Sequence, residues 1–235
     1  MAPQRQTTVC RGNFTGGRLR SHRCSEVVVN MPIPNGFRHY PQHLDRLGQE
    51  DLLVHIRAVI AEAPLYVPTM PRTGKPLSVR MTNCGPLGWL TDKAGGYRYQ
   101  ATHPATGRPW PAMPASLLEL WASLAETPHR PEACLVNAYA ADARLGSHQD
   151  ADEADFSAPV LSVSLGDDAI FHVGGLKRGD PKERLTLRSG DVVILGGAAR
   201  MAYHGVDRIL GGTSDLLAEG GRINLTLRRV TSTTA

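Results

Sequence analysis

The second half of the chain alternates apolar and polar residues along several short segments. From residue 133 onward, the alternation runs through ACLVNAYA, VLSVSLG, AIFHVGG, RLTLRSGDVVIL and RINLTLRRV. Successive side chains of a strand point to opposite faces, so this period predicts β-strands that each bury one face. Gly, Asp and Pro separate the segments, with no helical pattern between them. This favours an antiparallel sandwich or barrel over a parallel βαβ sheet.

The first half of the chain has a different pattern. Apolar residues recur at helical spacing in EDLLVHIRAVIAEAP and again in PASLLELWASLAE, so we expect two helices. Residues 64–114, between them, are dense in Pro and Gly and are expected to be rich in loops. The sequence thus predicts an α+β, mainly β fold. Its three regions are a basic flexible tail over 1–30, a helical and loop-rich region over 31–132, and an all-β core over 133–235.

The positive charge of the chain is concentrated near its N-terminus. The net charge is +4, and residues 1–25 contain five arginines and no acid, so the remaining residues carry a net charge of −1. The overall charge therefore does not predict a nucleic-acid partner, and any such partner has to be argued from local surfaces.

Hydropathy and cysteine content indicate the compartment. No apolar run reaches the ~20 residues that span a bilayer, and the N-terminus lacks the apolar segment of a secretory signal. The cysteines at positions 10, 24, 84 and 134 form no CxxC pair and are expected to be free thiols in a reducing compartment. We therefore expect a cytoplasmic protein with no membrane segment.

A possible metal site lies in the segment SHQD. His148 and Asp150 are two residues apart, so in an extended backbone both side chains point the same way. His204, in YHG, is the best third ligand. Two histidines and one carboxylate on one face of an octahedron leave three positions open, which suits Fe(II), a co-substrate and O2. Alternatively, the acidic segment is a solvated loop, as we expect for Glu153 and Asp155, and His204 is an ordinary polar residue.

The last alternating segment carries a polar face. In RINLTLR this face bears Arg222, Asn224 and Arg228, and CLVNAYA similarly places Asn137 and Tyr139 on one face. If these faces look into a barrel, the arginines form a clamp for an anion, because the planar guanidinium grips a carboxylate through two hydrogen bonds. If they look outward, they are simply solvated. An iron site beside a clamp for a dicarboxylate indicates a 2-oxoglutarate oxygenase.

Seven motifs together resemble the AlkB family of Fe(II)- and 2-oxoglutarate-dependent nucleic-acid dealkylating dioxygenases. They are MTNCGPLGW, PWPAMP, SHQD, APVLSVSLGDDAIFHVGGLKR, SGDVVILGG, YHG and RINLTLR, in this order between about residues 78 and 230. The resemblance implies a double-stranded β-helix (jelly-roll) core with N-terminal helices and a substrate-covering loop region, which makes residues 31–132 a nucleotide-recognition region. Ile223 and His172 depart from the family pattern, and the stretch before Tyr97 is one residue longer.

The resemblance also implies roles for single residues. It assigns the iron to His148, Asp150 and His204; the 2-oxoglutarate to Asn137, Tyr139, Arg222, Asn224 and Arg228; and the substrate nucleotide to Trp89, Tyr97, Asp152 and Arg178.

The implied reaction is oxidative demethylation of N-alkylated bases such as 1-methyladenine and 3-methylcytosine. It consumes 2-oxoglutarate and O2 and forms succinate, CO2 and formaldehyde. The expected partner of this monomer is alkylated single- or double-stranded DNA, with RNA as a second candidate. Two alternatives stay open: a 2-oxoglutarate oxygenase that acts on a protein or small molecule, and a nucleic-acid binder without enzymatic activity.

Overall fold

A computed structural model of the protein describes residues 33–232. The expected basic tail over 1–30 lies outside these residues. The described chain forms two α-helices and twelve strands. The helices are α1 (Arg46–Glu62) and α2 (Ala115–Leu124). The strands are β1 (Phe37–Tyr40), β2 (Val79–Cys84), β3 (Gly88–Asp92), β4 (Gly96–Gln100), β5 (Ala133–Tyr139), β6 (Leu145–His148), β7 (Val160–Gly166), β8 (Asp168–Gly174), β9 (Lys182–Leu187), β10 (Val192–Leu195), β11 (His204–Leu210) and β12 (Arg222–Arg228).

The strands form two larger antiparallel sheets and one hairpin. The major sheet has the order β1-β10-β7-β12-β5-β2, the minor sheet has the order β6-β11-β8-β9, and β3 pairs with β4. One apolar cluster contains residues of both larger sheets, among them Val193 of β10 and Phe171 of β8, so the two sheets enclose a common core. This is the mainly β, jelly-roll architecture that the sequence predicts.

The two helices pack on the other face of the major sheet. Ile56 of α1 and Leu117 of α2 share an apolar cluster with Val136 of β5 and Leu225 of β12. Helix α1 begins four residues before the predicted segment, because the Asp45 carboxylate accepts a hydrogen bond from the Gly48 amide (2.8 Å) and caps its first turn. The helices therefore cover one face of the sheet, and the other face is left to line a site.

The stretch expected to be rich in loops contains three strands. Strand β2 pairs along its whole length with β5 and forms one edge of the major sheet, while β1 forms the other edge. The major sheet therefore crosses the expected boundary at residue 133. The Pro and Gly residues around these strands favoured loops in the sequence. The strand that pairs with β2 and stabilises it lies about fifty residues further along the chain, so no local pattern predicted β2.

In the described part of the chain, neither helix is long and apolar enough to cross a membrane.

Candidate active site

Two neighbouring strand ends bring the metal-ligand candidates together. His148 ends β6 and His204 begins β11, and the two residues are direct partners in the antiparallel pairing. Their ring centroids are 4.4 Å apart. Asp150 follows two residues after β6, with one carboxylate oxygen 3.6 Å from His148 Nε2 and the other 3.7 Å from His204 Nε2. One candidate ligand atom from each of the three residues lies within 4.8 Å of the others.

The backbone fixes the protonation pattern of both imidazoles. His148 Nδ1 lies 2.9 Å from the Gly146 carbonyl oxygen, and His204 Nδ1 lies 2.9 Å from the Ala202 carbonyl oxygen. A carbonyl oxygen only accepts hydrogen bonds, so each Nδ1 carries the proton and donates it. Nε2 is therefore the nitrogen that carries the lone pair when the ring is neutral, and in both histidines it faces Asp150, as a metal ligand must.

The charges around Asp150 favour its ionised form. The side chain is 4% exposed, and Arg228 Nη2 donates to its Oδ1 at 2.6 Å. Burial alone would raise the pKa of Asp150, but the Arg228 guanidinium, joined by the two neighbouring imidazoles when these are protonated, outweighs burial and holds the pKa well below its usual range. Burial, aided by nearby His148, lowers the pKa of His204 to about 4, so this ring is neutral at physiological pH.

The three residues fit a divalent cation. Asp150 Oδ2 is buried and has no hydrogen-bond partner, which is costly for a charged oxygen unless a cation or donor binds it. Together with two Nε2 lone pairs on one side, it forms the arrangement of two histidines and one carboxylate that holds Fe(II) with open positions.

Arg222 forms a buried cationic site further along the same cavity. It is 2% exposed, and its guanidinium donates to the Asp167 and Leu187 carbonyl oxygens (3.1 and 3.2 Å) and to Ser164 Oγ. In the described chain, no carboxylate lies within 4.0 Å of it, and its Nε is buried without a partner. Burial lowers the pKa of Arg222 to about 10, so the group remains charged at neutral pH. A buried positive charge without a counter-ion suits an anionic ligand.

Polar side chains line the cavity between these two centres. Asn137 and Asn224 are direct partners in the pairing of β5 with β12, so their side chains share a face. Asn224 Nδ2 already donates to Ser162 Oγ at 2.7 Å. Burial raises the pKa of Tyr139 to about 12, which keeps its hydroxyl protonated as a donor. The polar face of β12 thus lines the cavity, and its alternative assignment to solvent is wrong.

Two aromatic rings lie at the mouth of the cavity. Trp89 of β3 stacks on Tyr97 of β4, with centroids 5.8 Å apart and planes inclined by 25°. Trp89 Nε1 donates to Asp152 Oδ2 at 2.7 Å, which fixes the indole plane. Arg178 donates to the Ser147 carbonyl oxygen (2.9 Å) on the neighbouring rim, and its guanidinium lies 5.2 Å from the Tyr203 ring.

One cavity of about 600 Å³ connects all these groups. Each of the twelve residues that the sequence predicts for iron, co-substrate and nucleotide lines this cavity. Neither Ile223 nor His172, the two departures from the family pattern, is a lining residue. Ile223 packs in the core beneath the helices, and His172 bonds Asp207 at 2.7 Å.

One sequence-based expectation is wrong, and it concerns Glu153. This residue is not solvated but 5% exposed, and its carboxylate forms ion pairs with Arg200 (2.9 Å) and Arg228 (3.1 Å). Tyr99 of β4 donates a further hydrogen bond to it. Neither Tyr99 nor Arg200 is among the residues predicted from the sequence, although the alternation in GYRYQ places Tyr99 on the same face as Tyr97.

Comparisons with known proteins agree with this geometry. The family model of the 2OG-Fe(II) oxygenase superfamily matches residues 36–228. An alpha-ketoglutarate-dependent dioxygenase AlkB homolog of Caulobacter vibrioides is 54% identical over 203 residues, which cover 86% of this chain and 91% of the relative. The AlkB dioxygenase of Escherichia coli is 47% identical over 184 residues, which cover 77% of this chain and 84% of that protein.

A solved structure shows the same fold. The structure of OsALKBH1 matches with a TM-score of 0.67 and 32% sequence identity, over 83% of this chain and 98% of that one. The superfamily uses Fe(II), 2-oxoglutarate and O2, for which the site has a suitable set of donors. The chain therefore belongs to the AlkB family of Fe(II)- and 2-oxoglutarate-dependent dioxygenases.

Proposed function

We propose that this enzyme demethylates N-alkylated bases, such as 1-methyladenine and 3-methylcytosine, in DNA, with RNA as a second candidate polymer. 2-Oxoglutarate and O2 are consumed, and succinate, CO2, formaldehyde and the repaired base are formed. The reaction would directly reverse alkylation damage. Membership in the AlkB family and the aromatic side chains that line the cavity support this choice of substrate.

One observation carries the proposal: a stacked aromatic pair lies at the mouth of the cavity that holds the triad. A methyl group on the pairing edge of a base is reached only when the base leaves the stack or is already unpaired. Such a base needs a flat partner, and stacking on an aromatic side chain contributes about 1–3 kcal/mol per base. Trp89, held by Asp152, and half-exposed Tyr97 offer this surface. We assign Arg178, which also lines this cavity, to the nucleotide backbone.

Each remaining site residue then has a defined task. His148, Asp150 and His204 would hold Fe(II), which, with 2-oxoglutarate and O2, supplies the oxidation of the methyl C–H bond. Arg222 would bind the distal carboxylate of 2-oxoglutarate, because it is the buried cation without a counter-ion. Asn137, Tyr139 and Asn224 would orient the co-substrate between them. Arg228 donates a hydrogen bond to the Asp150 carboxylate, and we assign it also to the metal-bound end of 2-oxoglutarate because it lines the cavity.

A panel of methylated oligonucleotides tests the proposal. Wild-type protein with Fe(II), 2-oxoglutarate and ascorbate is expected to release formaldehyde from oligonucleotides that carry 1-methyladenine or 3-methylcytosine. Unmethylated oligonucleotides and the His148→Ala variant serve as controls and should release none. Succinate without formaldehyde on every oligonucleotide would favour the oxygenase that acts on a protein or small molecule. Binding of methylated oligonucleotides without either product would favour the non-enzymatic binder.

We further propose that the protein is a cytoplasmic monomer. Cys84 and Cys134 support the compartment, because they are direct partners across β2 and β5 and are nevertheless free thiols. Cell fractionation and sedimentation of the purified protein test the two statements. Recovery outside the cytoplasm, or a concentration-dependent dimer, would contradict them.

A further inference from the structure

The β3–β4 hairpin presents three aromatic side chains on one face. Trp89 and Tyr99 are direct partners across the hairpin, so their side chains lie on the same side. Tyr97 lies two residues before Tyr99 and shares this face. Tyr97 is 51% exposed, whereas Tyr99 is half-buried at the inner end of the row. The aromatic row therefore runs from the mouth of the cavity toward the interior of the protein.

Two consecutive acids receive hydrogen bonds from this row. Asp152 accepts from the Trp89 indole (2.7 Å), and Glu153 accepts from the Tyr99 hydroxyl. Both acids directly follow the segment that contains Asp150. The inner face of the hairpin is thus fastened to the same short stretch of chain that supplies the carboxylate ligand.

Buried arginines continue this connection to Asp150 itself. Arg228 Nη1 donates to the Tyr99 hydroxyl oxygen (3.0 Å) and to Glu153 (3.1 Å), while its Nη2 donates to Asp150 Oδ1 (2.6 Å). Arg200 donates to Glu153 Oε2 (2.9 Å) and to the Asp150 carbonyl oxygen (2.7 Å). Two arginines thus bridge Glu153 and Asp150, and two positive charges offset two negative ones inside the protein.

The Tyr99 hydroxyl uses both of its hydrogen-bonding capacities in this network. It donates its proton to Glu153 and accepts one from Arg228. Arg228 is therefore oriented from one side by the hairpin and from the other by the ligand carboxylate. An isolated two-stranded hairpin is marginally stable, so contacts of this kind decide how long it stays docked over the cavity.

We propose that Tyr99 is a positioning residue that links the docking of the β3–β4 hairpin to the orientation of the Asp150 carboxylate through Glu153 and Arg228. The link makes metal capture and base recognition interdependent, although Tyr99 lines neither the metal site nor the base site. The proposal rests on the proposed function only where base recognition is concerned. The link between hairpin and metal site holds for any substrate.

The test compares Tyr99→Phe with Tyr66→Phe. Tyr66 is a matched control, because its hydroxyl donates a 3.3 Å hydrogen bond to the Trp89 carbonyl oxygen, which Asn83 Nδ2 still bonds (3.1 Å) in the variant, and has no contact with Glu153 or Arg228. The first readout is Mn(II) binding to the protein without 2-oxoglutarate. Because partners that orient a ligand commonly contribute tenfold or more to metal affinity, Tyr99→Phe is expected to raise the Kd for Mn(II) by about tenfold. Tyr66→Phe should leave this Kd unchanged.

The second readout is the ratio of succinate to formaldehyde during turnover of a methylated oligonucleotide. We expect a ratio near one for wild type and for Tyr66→Phe. A higher ratio is expected for Tyr99→Phe, because an undocked hairpin no longer holds the base during part of the turnovers. Ascorbate, present in every reaction, supplies the electrons in turnovers that miss the methyl group.

Wild-type protein gives an independent check should Tyr99→Phe fold poorly. Coupling between two sites is reciprocal, so Mn(II) alone is expected to slow amide hydrogen exchange in residues 88–100. Unchanged exchange in this segment, an unaltered Mn(II) Kd in folded Tyr99→Phe, or equal effects of Tyr99→Phe and Tyr66→Phe would each overturn the proposal. Absence of formaldehyde from wild type would instead defeat the proposed function, and Mn(II) binding and exchange would still decide the role of Tyr99.

Discussion

The burial of Arg222 without a counter-ion leads to a prediction about co-substrate affinity. Arg222→Lys keeps the charge but loses the planar fork that bonds two carbonyl oxygens and Ser164. A hydrogen bond to a charged group contributes about 1.5–3 kcal/mol, so we expect the KM for 2-oxoglutarate to rise roughly tenfold or more. Steady-state kinetics measure this effect. Exposed Arg208, on β11, supplies the control Arg208→Lys. An unchanged KM in Arg222→Lys would place the distal carboxylate elsewhere.

Asp152 leads to a prediction about lesion preference. 1-Methyladenine and 3-methylcytosine are cationic near neutral pH, whereas the corresponding methylated guanine and thymine are neutral. A carboxylate beside the base and the π-face of Trp89 both favour a cation. We therefore expect wild type to repair the cationic lesions with a kcat/KM at least about tenfold higher, which corresponds to ~1.4 kcal/mol.

Asp152→Asn tests this prediction without dismantling the site. The asparagine oxygen can still accept the hydrogen bond from Trp89 Nε1, so the variant removes charge and keeps the indole in place. Four singly methylated oligonucleotides of one sequence, measured with both proteins, give the ratio of cationic to neutral repair. The ratio should fall in the variant because the cationic substrates become slower. An equal ratio in both proteins would mean that Asp152 serves only to hold Trp89.

The acids near the triad show which properties of a single residue can be predicted from the sequence and which cannot. The spacing of His148 and Asp150 predicted a pair of metal ligands, because residues two apart in an extended backbone point the same way and lie close together in space. From the sequence, Glu153 was expected to be as exposed to solvent as Asp155. Its burial depends on Arg200 and Arg228, which lie 47 and 75 residues further along the chain. No local pattern contains that information, so the charge network at Asp150 could be found only in the folded structure.

The strands differ in how well the sequence predicts them. The alternation in RINLTLR separated the two faces of β12 correctly, and the structure shows that the apolar face packs beneath the helices while the polar face lines the cavity. The hairpin β3–β4 escaped prediction, since both strands are only five residues long and lie between Pro- and Gly-rich turns, and β4 has no buried residue. Elements that bury a full face are thus evident from periodicity, and elements held by a few specific contacts are not.

Edge strand β1 depends on a buried carboxylate. Asp191, 1% exposed, precedes β10 and accepts hydrogen bonds from the amides of Gln42 (2.8 Å) and Arg188 (2.9 Å) and from His39 Nε2 of β1 (2.9 Å). Burial alone would raise the pKa of Asp191, but these hydrogen bonds outweigh burial and lower it. Asp191→Asn is therefore expected to reduce the free energy of unfolding at pH 7 by about 1–3 kcal/mol, as urea titration would show.

The pH dependence of this effect follows from the direction of the shift. Because the folded-state pKa of Asp191 lies below the unfolded value of about 3.9, its stabilisation is present above that pH and is lost as the pH falls through the folded-state pKa. The difference between wild type and variant should therefore shrink below about pH 4. A gap that stays constant down to the folded-state pKa would contradict this assignment.

Asp168 is the control of opposite sign. Burial raises its pKa, so its stabilising contribution is present below the unfolded pKa and is lost as the pH rises. At pH 7 its charge is unfavourable in the folded state, and Asp168→Asn should leave stability unchanged or increase it. A loss of stability equal to that of Asp191→Asn would show that both acids act through shape rather than charge.

At the scale of the whole molecule, the charge distribution predicts a separate role for the first residues. Residues 1–25 carry five arginines and no acid and precede the described chain. Their deletion is expected to leave thermal stability and the turnover of short oligonucleotides nearly unchanged. It should weaken binding to long DNA at low salt, because non-specific affinity scales with the number of neutralised phosphates. A truncated protein that fails to fold would show that these residues are part of the domain.

The backbone hydrogen bonds of the two histidines proposed to hold the iron bear on how readily this pocket can be redesigned. Gly146 and Ala202 hold the imidazoles through carbonyl oxygens, and no side-chain substitution removes a carbonyl. In sites where a carboxylate side chain orients the histidine, one mutation of that partner lowers metal affinity. Laboratory evolution could therefore replace the walls of this cavity for new substrates while both Nε2 atoms stay ready for the metal.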